Sequence, residues 1–395
     1  MHRRSRYDEF EQFLNWLLEL IHAEAVDALL VSGDIFDTTV PSNRATELYY
    51  QFLGRLMNSS CRHVIITAGN HDSPSFLQAP KEVLRFLNVH VFASAESPED
   101  EVLTLKDDAG ATEMIVCAVP YLRDRDIRKS VSGESGEDKD QKMIEGIRAH
   151  YKAVCSIAEN SLEKIVPKVP VVAMGHLFAA GGKTSDDDGV RELYVGSLAR
   201  IRADIFPESI SYVALGHLHI PQKVGDKNYI RYCGSPIPMG FGESKHQKLV
   251  LLVEFSGAEL KHITETPVPC FQSLERIRGS LAVISDRIEE LTTEKSRSWL
   301  EVVYDGEELI GNLREKIDSM IDGSGMDVLR IKNTRLVQRV LGSMKEDESL
   351  DDLDEEDVFA RCLDAHEVPE GQRDSLMGDY RTVLLSLQEE DRKAE

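Results

Sequence analysis

Phe10, Phe13, Leu14, Leu17, Leu18 and Ile21 recur at three- and four-residue steps, separated by polar positions. That spacing puts them on one face of a helix and predicts an amphipathic helix from about Tyr7 to Ala25. The period then changes. Short apolar runs, "DALLVSG", "HVIITAG" and "EMIVCAVPY", alternate with helix-like stretches around "RATELYYQFLGRLM" and "PKEVLRFL". Strand and helix in alternation predict a layered α/β sheet with helices outside it. "VPVVAMG", "SYVALG", "YIRYCGS" and "KLVLLVEF" add further strands. The first domain is therefore expected over residues 1–267, as a sheet sandwich flanked by helices.

From Cys270 the order becomes strand ("FQSLERI"), helix ("SLAVISDRIEEL"), strand ("SWLEVVYD"), helix with Leu309, Leu313, Ile317 and Met320 on one face, and strand ("DVLRIKN"). This predicts a small βαβαβ domain over residues 268–340. Residues 341–395 then carry an acidic linker and two short helices. One bears Val358, Phe359, Cys362 and Leu363; the other bears Leu376, Tyr380, Val383, Leu384 and Leu387. Two such helices are too small to bury a core of their own, so they are expected to dock on a partner or to pack back onto the chain. No internal repeat is apparent.

Composition narrows the classes. A chain of 395 residues that is 42% hydrophobic has enough material for two or three domains. No apolar run is long enough to cross a bilayer, and "MHRRSRYDEF" is followed by no signal-type apolar segment, so a cytoplasmic protein is expected. Six scattered cysteines form no C-x-x-C pair and are read as core thiols. The formal net charge of −23 argues against a protein that coats nucleic acid along its whole surface. Nine acidic residues between Glu346 and Asp357 account for much of it, so the total says little about any single face.

One device appears four times: an apolar strand, a glycine, then a side chain able to bind metal. The instances are "LLVSGD" with Asp34, "IITAGN" with Asn70, "VVAMGH" with His176, and "YVALGHLH" with His217 and His219. Ligands collect at the carboxyl ends of strands in open α/β sheets, and glycine lets the chain turn there. A lone Gly-His after a strand is more often a hydrogen-bonded histidine; four together point to one pocket. Oxygen and imidazole donors without thiolates suit Mn²⁺ or Mg²⁺ first, then Fe or Zn. A carboxylate such as Asp34 can bridge two ions for in-line attack at phosphorus, and His71 is placed to stabilise the transition state or protonate the leaving oxygen.

These residues resemble those of the calcineurin-like metallophosphoesterases. The set "SGDIFDTTVPS", "TAGNHDS", "PYLRDRD", "YVALGHLH" and "RYCGSPIPMGFGE", followed by a small domain and a helical tail, is similar to the SbcD branch of that family over essentially the whole chain. The resemblance implies that Asp34 bridges two Mn²⁺ ions, that Asn70, His176 and His217 complete one site, that His219 belongs to the other, and that His71 is catalytic. It implies cleavage of double-stranded DNA ends and hairpins in repair, recombination and replication. It also implies a homodimer that joins two copies of an SbcC-type ATPase through the C-terminal helices, with the small domain as a cap on the DNA side. The alternatives are a phosphoesterase for small molecules or phosphoproteins, and a non-catalytic scaffold.

The family begins with a strand and an Asp-x-His motif that supply two ligands beside His219, and no Asp-x-His precedes Asp34 here. His2 is the only nearby imidazole and is a poor substitute. A misplaced start or a truncated form is expected, in which one ion binds well, the other poorly, and cutting is nearly abolished. Other polar residues admit two readings each. Asp37 either caps the next turn or steers a ligand; Asp72 either holds His71 or caps a turn. "AAGGKTSDDD" fails as a P-loop because Leu177 stands where the first glycine is required. Arg123, Arg125 and Arg128 are loop residues unless they touch phosphates, and "GSPIPMGFGE" reads as structural turns.

Overall fold

Two sheets, packed face to face and covered by helices on their outer faces, form the larger of two compact units. The computed structural model describes residues 1, 4–127, 135–179, 201–306, 308, 310, 312–334, 356, 359, 360, 363, 368–371 and 373–381. The larger unit covers Arg3–Gln272 with Met1, and the smaller begins at Ser273. The first sheet is parallel, in the order β1 (Ala28–Ser32), β2 (His63–Thr67), β3 (Val89–Phe92). The second has the order β4-β5-β6-β7-β9-β8, from β4 (Val102–Lys106), β5 (Thr112–Ala118), β6 (Val171–His176), β7 (Tyr212–Gly216), β8 (Gln222–Val224) and β9 (Lys227–Tyr232). Its four inner strands run parallel, and the edge strands β4 and β8 are antiparallel to them.

Strands covered on both faces need unbroken apolar runs, and all five residues of β2 and all six of β6 are buried. Between the sheets lie Ile65, Leu105, Val116, Ala118 and Met174, joined by Leu30 and Phe92. Outside the first sheet are α1 (Tyr7–Ala23), α2 (Asn43–Leu56), α3 (Pro74–Gln78) and α4 (Lys81–Arg85), which bury Ile21, Phe52, Leu56, Leu77 and Leu84 against Val64, Ile66 and Val91. Ser42 caps α2 by accepting the Ala45 N–H. Outside the second sheet, after the short α5 (Asp124–Ile127), runs α6 (Gly136–Glu163). Its Ile144, Ile147, Tyr151, Val154, Cys155 and Ala158 form one buried stripe against that sheet.

A hairpin of β10 (Leu249–Ser256) and β11 (Glu259–Pro267) closes the larger unit. The smaller unit holds a parallel sheet in the order β12 (Leu274–Gly279), β13 (Trp299–Tyr304), β14 (Asp327–Asn333). Helices α7 (Leu281–Thr293) and α8 (Leu313–Ile321) bury Ile284, Ile288, Leu291 and Ile317 against Ile277, Leu300 and Val302.

Several local expectations change. The first helix ends at Ala23 rather than Ala25. The helix around "PKEVLRFL" is the short α4, with Pro80 as its N-cap, and a separate short helix, α3, precedes it. In α8 the helix begins at Leu313, and Leu309 lies outside the described residues. Cys270 is exposed and not a core thiol: it follows β11 and falls outside any strand. Cys233 is only half-buried, Cys61, Cys117 and Cys155 are buried, and Cys362 lies outside the described residues. His2, Arg128 and nearly all of "AAGGKTSDDD" also lie outside them.

Candidate metal centre

Parallel strands place their carboxyl ends on one side of a sheet, and β1, β2, β6 and β7 all end at the same spot. Asp34 follows β1, Asn70 follows β2, His176 closes β6, and His217 follows β7. His176 Nε2 lies 3.0 Å from Asn70 Oδ1 and 3.2 Å from Asp34 Oδ2, and His217 Nδ1 lies 3.1 Å from Asn70 Oδ1. Ligand-capable atoms of Asp34, His176 and His217 all fall within 4.8 Å of one another. Donors bound at about 2.1 Å to an octahedral ion sit about 3 Å apart along each edge, so these four atoms fit such a shell.

Close packing around the cluster depends on glycines, Gly33, Gly69 and Gly216 among them. Gly33 has φ +84°, and a Cβ there would lie 2.1 Å from His176 Nδ1; a Cβ on Gly69 would lie 2.1 Å from Asp34 Oδ1. The backbone also bends into uncommon conformations at Asp34, with φ 51°, and at His217, with φ 95°. Non-glycine residues adopt such angles only where surrounding contacts hold them, and here both carry donor atoms of the cluster.

Orientation follows from what each partner can accept. The Ser32 carbonyl lies 2.9 Å from His176 Nδ1 and can only accept, so Nδ1 carries a proton and Nε2 faces the cluster. Burial opposes a charge on His176, but the Asp34 carboxylate beside it raises its pKa above the ordinary value. Burial would likewise raise Asp34, yet His176 and the His71 N–H hold it far below the usual carboxylate range. His217 is pushed down to about 3 by burial and by the charge of His176. His176 Nε2 and His217 Nδ1 both face Asn70 Oδ1, so the nitrogen atoms that would hold a cation point at one spot.

His71 donates its backbone N–H to Asp34 Oδ1 at 3.1 Å. Its ring Nδ1 lies 3.0 Å from the Asp37 carbonyl oxygen, so Nδ1 donates and Nε2 is the nitrogen left to exchange a proton. Asp37 thus acts on His71 through its main chain, and its side chain, 88% exposed, caps no helix; Ser42 caps α2. Asp72 is fully buried and does not hold the His71 ring. Its carboxylate accepts the N–H groups of Gly69 at 2.8 Å, Ile35 at 3.1 Å and Phe36 at 2.9 Å, lacing the turn after β1 to the turn after β2. Burial pushes its pKa up despite these bonds. Arg123 is no solvated loop residue: it donates to the Asp72 carbonyl and lies over Tyr121, whose ring packs edge-on to His176. Arg125 is 76% exposed beside Asp126.

A calcineurin-like phosphoesterase family model matches residues 1–221, which include every residue of this cluster. The chain belongs to the calcineurin-like phosphoesterase family. A second model, the SbcD C-terminal domain, described as the type 5 capsule protein repressor C-terminal domain, matches residues 270–367 of this phosphoesterase. It is 34% identical over 391 residues to the SbcD subunit of nuclease SbcCD from Escherichia coli K12, covering 97% of this chain and 94% of that protein. It is 35% identical over 275 residues to the protein of the same name from Rhodobacter capsulatus, covering 67% and 66% of the two chains. The Bacillus subtilis protein of that name is 29% identical over 258 residues, covering 65% and 63%.

His219 stands apart from the phosphoesterase's four-atom cluster. Its Nδ1 lies 3.0 Å from Oε1 of Glu243, the last residue of the turn-rich "GSPIPMGFGE". That stretch thus sets its one carboxylate against His219. Burial disfavours the Glu243 charge, but His219 and Lys248 hold its pKa below the ordinary value. The one sequence signal for it was an acidic residue within a run otherwise made of turn formers and apolar side chains.

Proposed function

We propose that this chain is the nuclease subunit of an SbcCD-type complex, cutting double-stranded DNA ends and hairpins with Mn²⁺ in repair, recombination and replication. The convergence of Asp34, Asn70, His176 and His217 at four strand ends carries the reading. An O- and N-donor set without thiolate suits Mn²⁺, with Mg²⁺ as second choice. Bound divalent ions would polarise the phosphodiester and acidify the attacking water. Asp34 presents Oδ2 to the cluster while Oδ1 accepts the His71 N–H, which supports its reading as the carboxylate that would hold both ions. His219 serves the second ion. His71, its Nδ1 proton committed to Asp37, exchanges a proton at Nε2 with the leaving oxygen.

Residues 1–267 form the nuclease domain, residues 268–340 the cap, and residues 341–395 the linker and tail that engage an SbcC-type ATPase, two copies of each making the complex. Phe359 and Tyr380 stack with ring centroids 4.0 Å apart, and Arg381 pairs with Glu356 at 2.6 Å, which brings these described residues of the tail together. A homodimer is supported by the apolar group Val83, Phe86 and Leu87 at α4, which are 67%, 90% and 38% exposed. No described helix is long and apolar enough to cross a membrane, which fits a cytoplasmic setting.

The test is cleavage of linear and hairpin duplexes with the ATPase partner, with and without Mn²⁺. It compares this chain with its H176A variant. Mn²⁺-dependent cutting by the first and none by the second is expected. Turnover of a simple phosphodiester with no DNA cleavage would favour a small-molecule phosphoesterase instead.

A further inference from the structure

Behind His219 lies a buried ion pair. Glu243 Oε1 faces His219 Nδ1 at 3.0 Å, and the Glu243 side chain has no solvent exposure. The other oxygen, Oε2, accepts from Ser235 Oγ at 3.0 Å, from the Met239 backbone N–H at 3.2 Å, and from the Lys248 ammonium. Lys248 is 4% exposed and also donates to the His219 carbonyl and to Ser235 Oγ, each at 2.8 Å. One lysine therefore grips the main chain of His219 and the carboxylate that grips its ring.

A buried ion pair adds little stability that apolar residues of the same shape would not supply, so its retention asks for another role. The chemistry of the contact gives one. A carboxylate balanced by Lys248 is ionised and can only accept, so the proton between Glu243 and His219 sits on Nδ1. The lone pair is then on Nε2, the nitrogen on the opposite side of the ring.

We propose that Glu243, balanced by Lys248, is a positioning residue that fixes the tautomer of His219 so that Nε2 can bind a divalent cation. This rests on the reading of His219 as a ligand of the second ion. The arrangement makes the isosteric change E243Q informative. Two donors with no acceptor capacity, the Met239 N–H and the Lys248 ammonium, point at the Oε2 position. A glutamine must turn its oxygen toward them and its NH₂ toward His219. Nδ1 then accepts, the proton moves to Nε2, and the ring can no longer bind a cation there.

The test begins without metal, on ¹⁵N-histidine-labelled protein at mildly alkaline pH, where an imidazole is neutral. Long-range ¹H–¹⁵N correlation, with His219 signals identified from H219N, reads which nitrogen carries the proton. Nδ1–H in the wild type and Nε2–H in E243Q are expected. Nε2–H in the wild type, or Nδ1–H persisting in E243Q, would overturn the proposal. Should E243Q not fold, E243Q/K248M removes the uncompensated lysine and retains the Met239 donor, so the same reversal is expected there. A Mn²⁺ titration followed by electron paramagnetic resonance then reads the two ions separately. In E243Q the weaker ion should bind about 10- to 100-fold less tightly and the tighter one unchanged. Equal binding in both proteins would overturn this proposal alone, whereas a wild type that binds no Mn²⁺ would overturn the functional reading as well.

Discussion

Each donor of the cluster has its protonation set by its neighbour. Asp34 is held far below the usual carboxylate range and His217 at about 3, so neither competes with a cation for a proton near neutral pH. His176 does, because Asp34 raises its pKa and the proton it gains lies on the nitrogen that faces the cluster. Binding must expel that proton. Below the raised pKa of His176, Mn²⁺ affinity at this cluster should therefore fall as the pH falls, by about tenfold per unit, and the ion bound there should release about one proton. Calorimetry in buffers of different ionisation enthalpy measures the release directly. A pH-independent affinity over that range would mean that His176 is not a ligand.

At the scale of elements, the centre depends on turns that are laced together. Asp72 satisfies three N–H groups from two different turns, two of them buried, and leaving a buried donor unpaired costs about 1–3 kcal/mol. D72A should lower the free energy of unfolding by at least about 2 kcal/mol, read by denaturant titration, and weaken Mn²⁺ binding through displacement of Asp34 and Asn70. Unchanged stability would show that water replaces the carboxylate. Sequence pattern reaches such elements unevenly. β1, β2, β6 and β7 were legible as short apolar runs leading into glycine, buried throughout in β2 and β6. The lacing by Asp72 was not, because a carboxylate that caps a turn looks the same in sequence as one that holds a histidine. α6 was missed because it opens on "GEDKDQK" and shows its apolar stripe only from Met143 onward. β3 and β4 are four and five residues long, too short for a period to emerge. Glu243 lies 24 residues from His219, and only the fold brings them together.

For the whole molecule, charge and surface set the possible associations. A net charge of −23 argues against DNA contact over the whole surface, so contact is expected to be local. Self-association is expected through α4. Replacing Phe86, 90% exposed, by aspartate puts two charges face to face in a two-fold interface and should convert dimer to monomer, with folding and Mn²⁺ binding unchanged. Light scattering at matched concentration decides this; a dimer that survives F86D places the interface elsewhere.

Anomalous diffraction from crystals soaked in Mn²⁺ decides whether the four strand ends jointly hold a cation. A peak is expected within coordination distance of Asp34 Oδ2, Asn70 Oδ1, His176 Nε2 and His217 Nδ1. A peak bound by other residues, or none at those four atoms, would refute the metal centre.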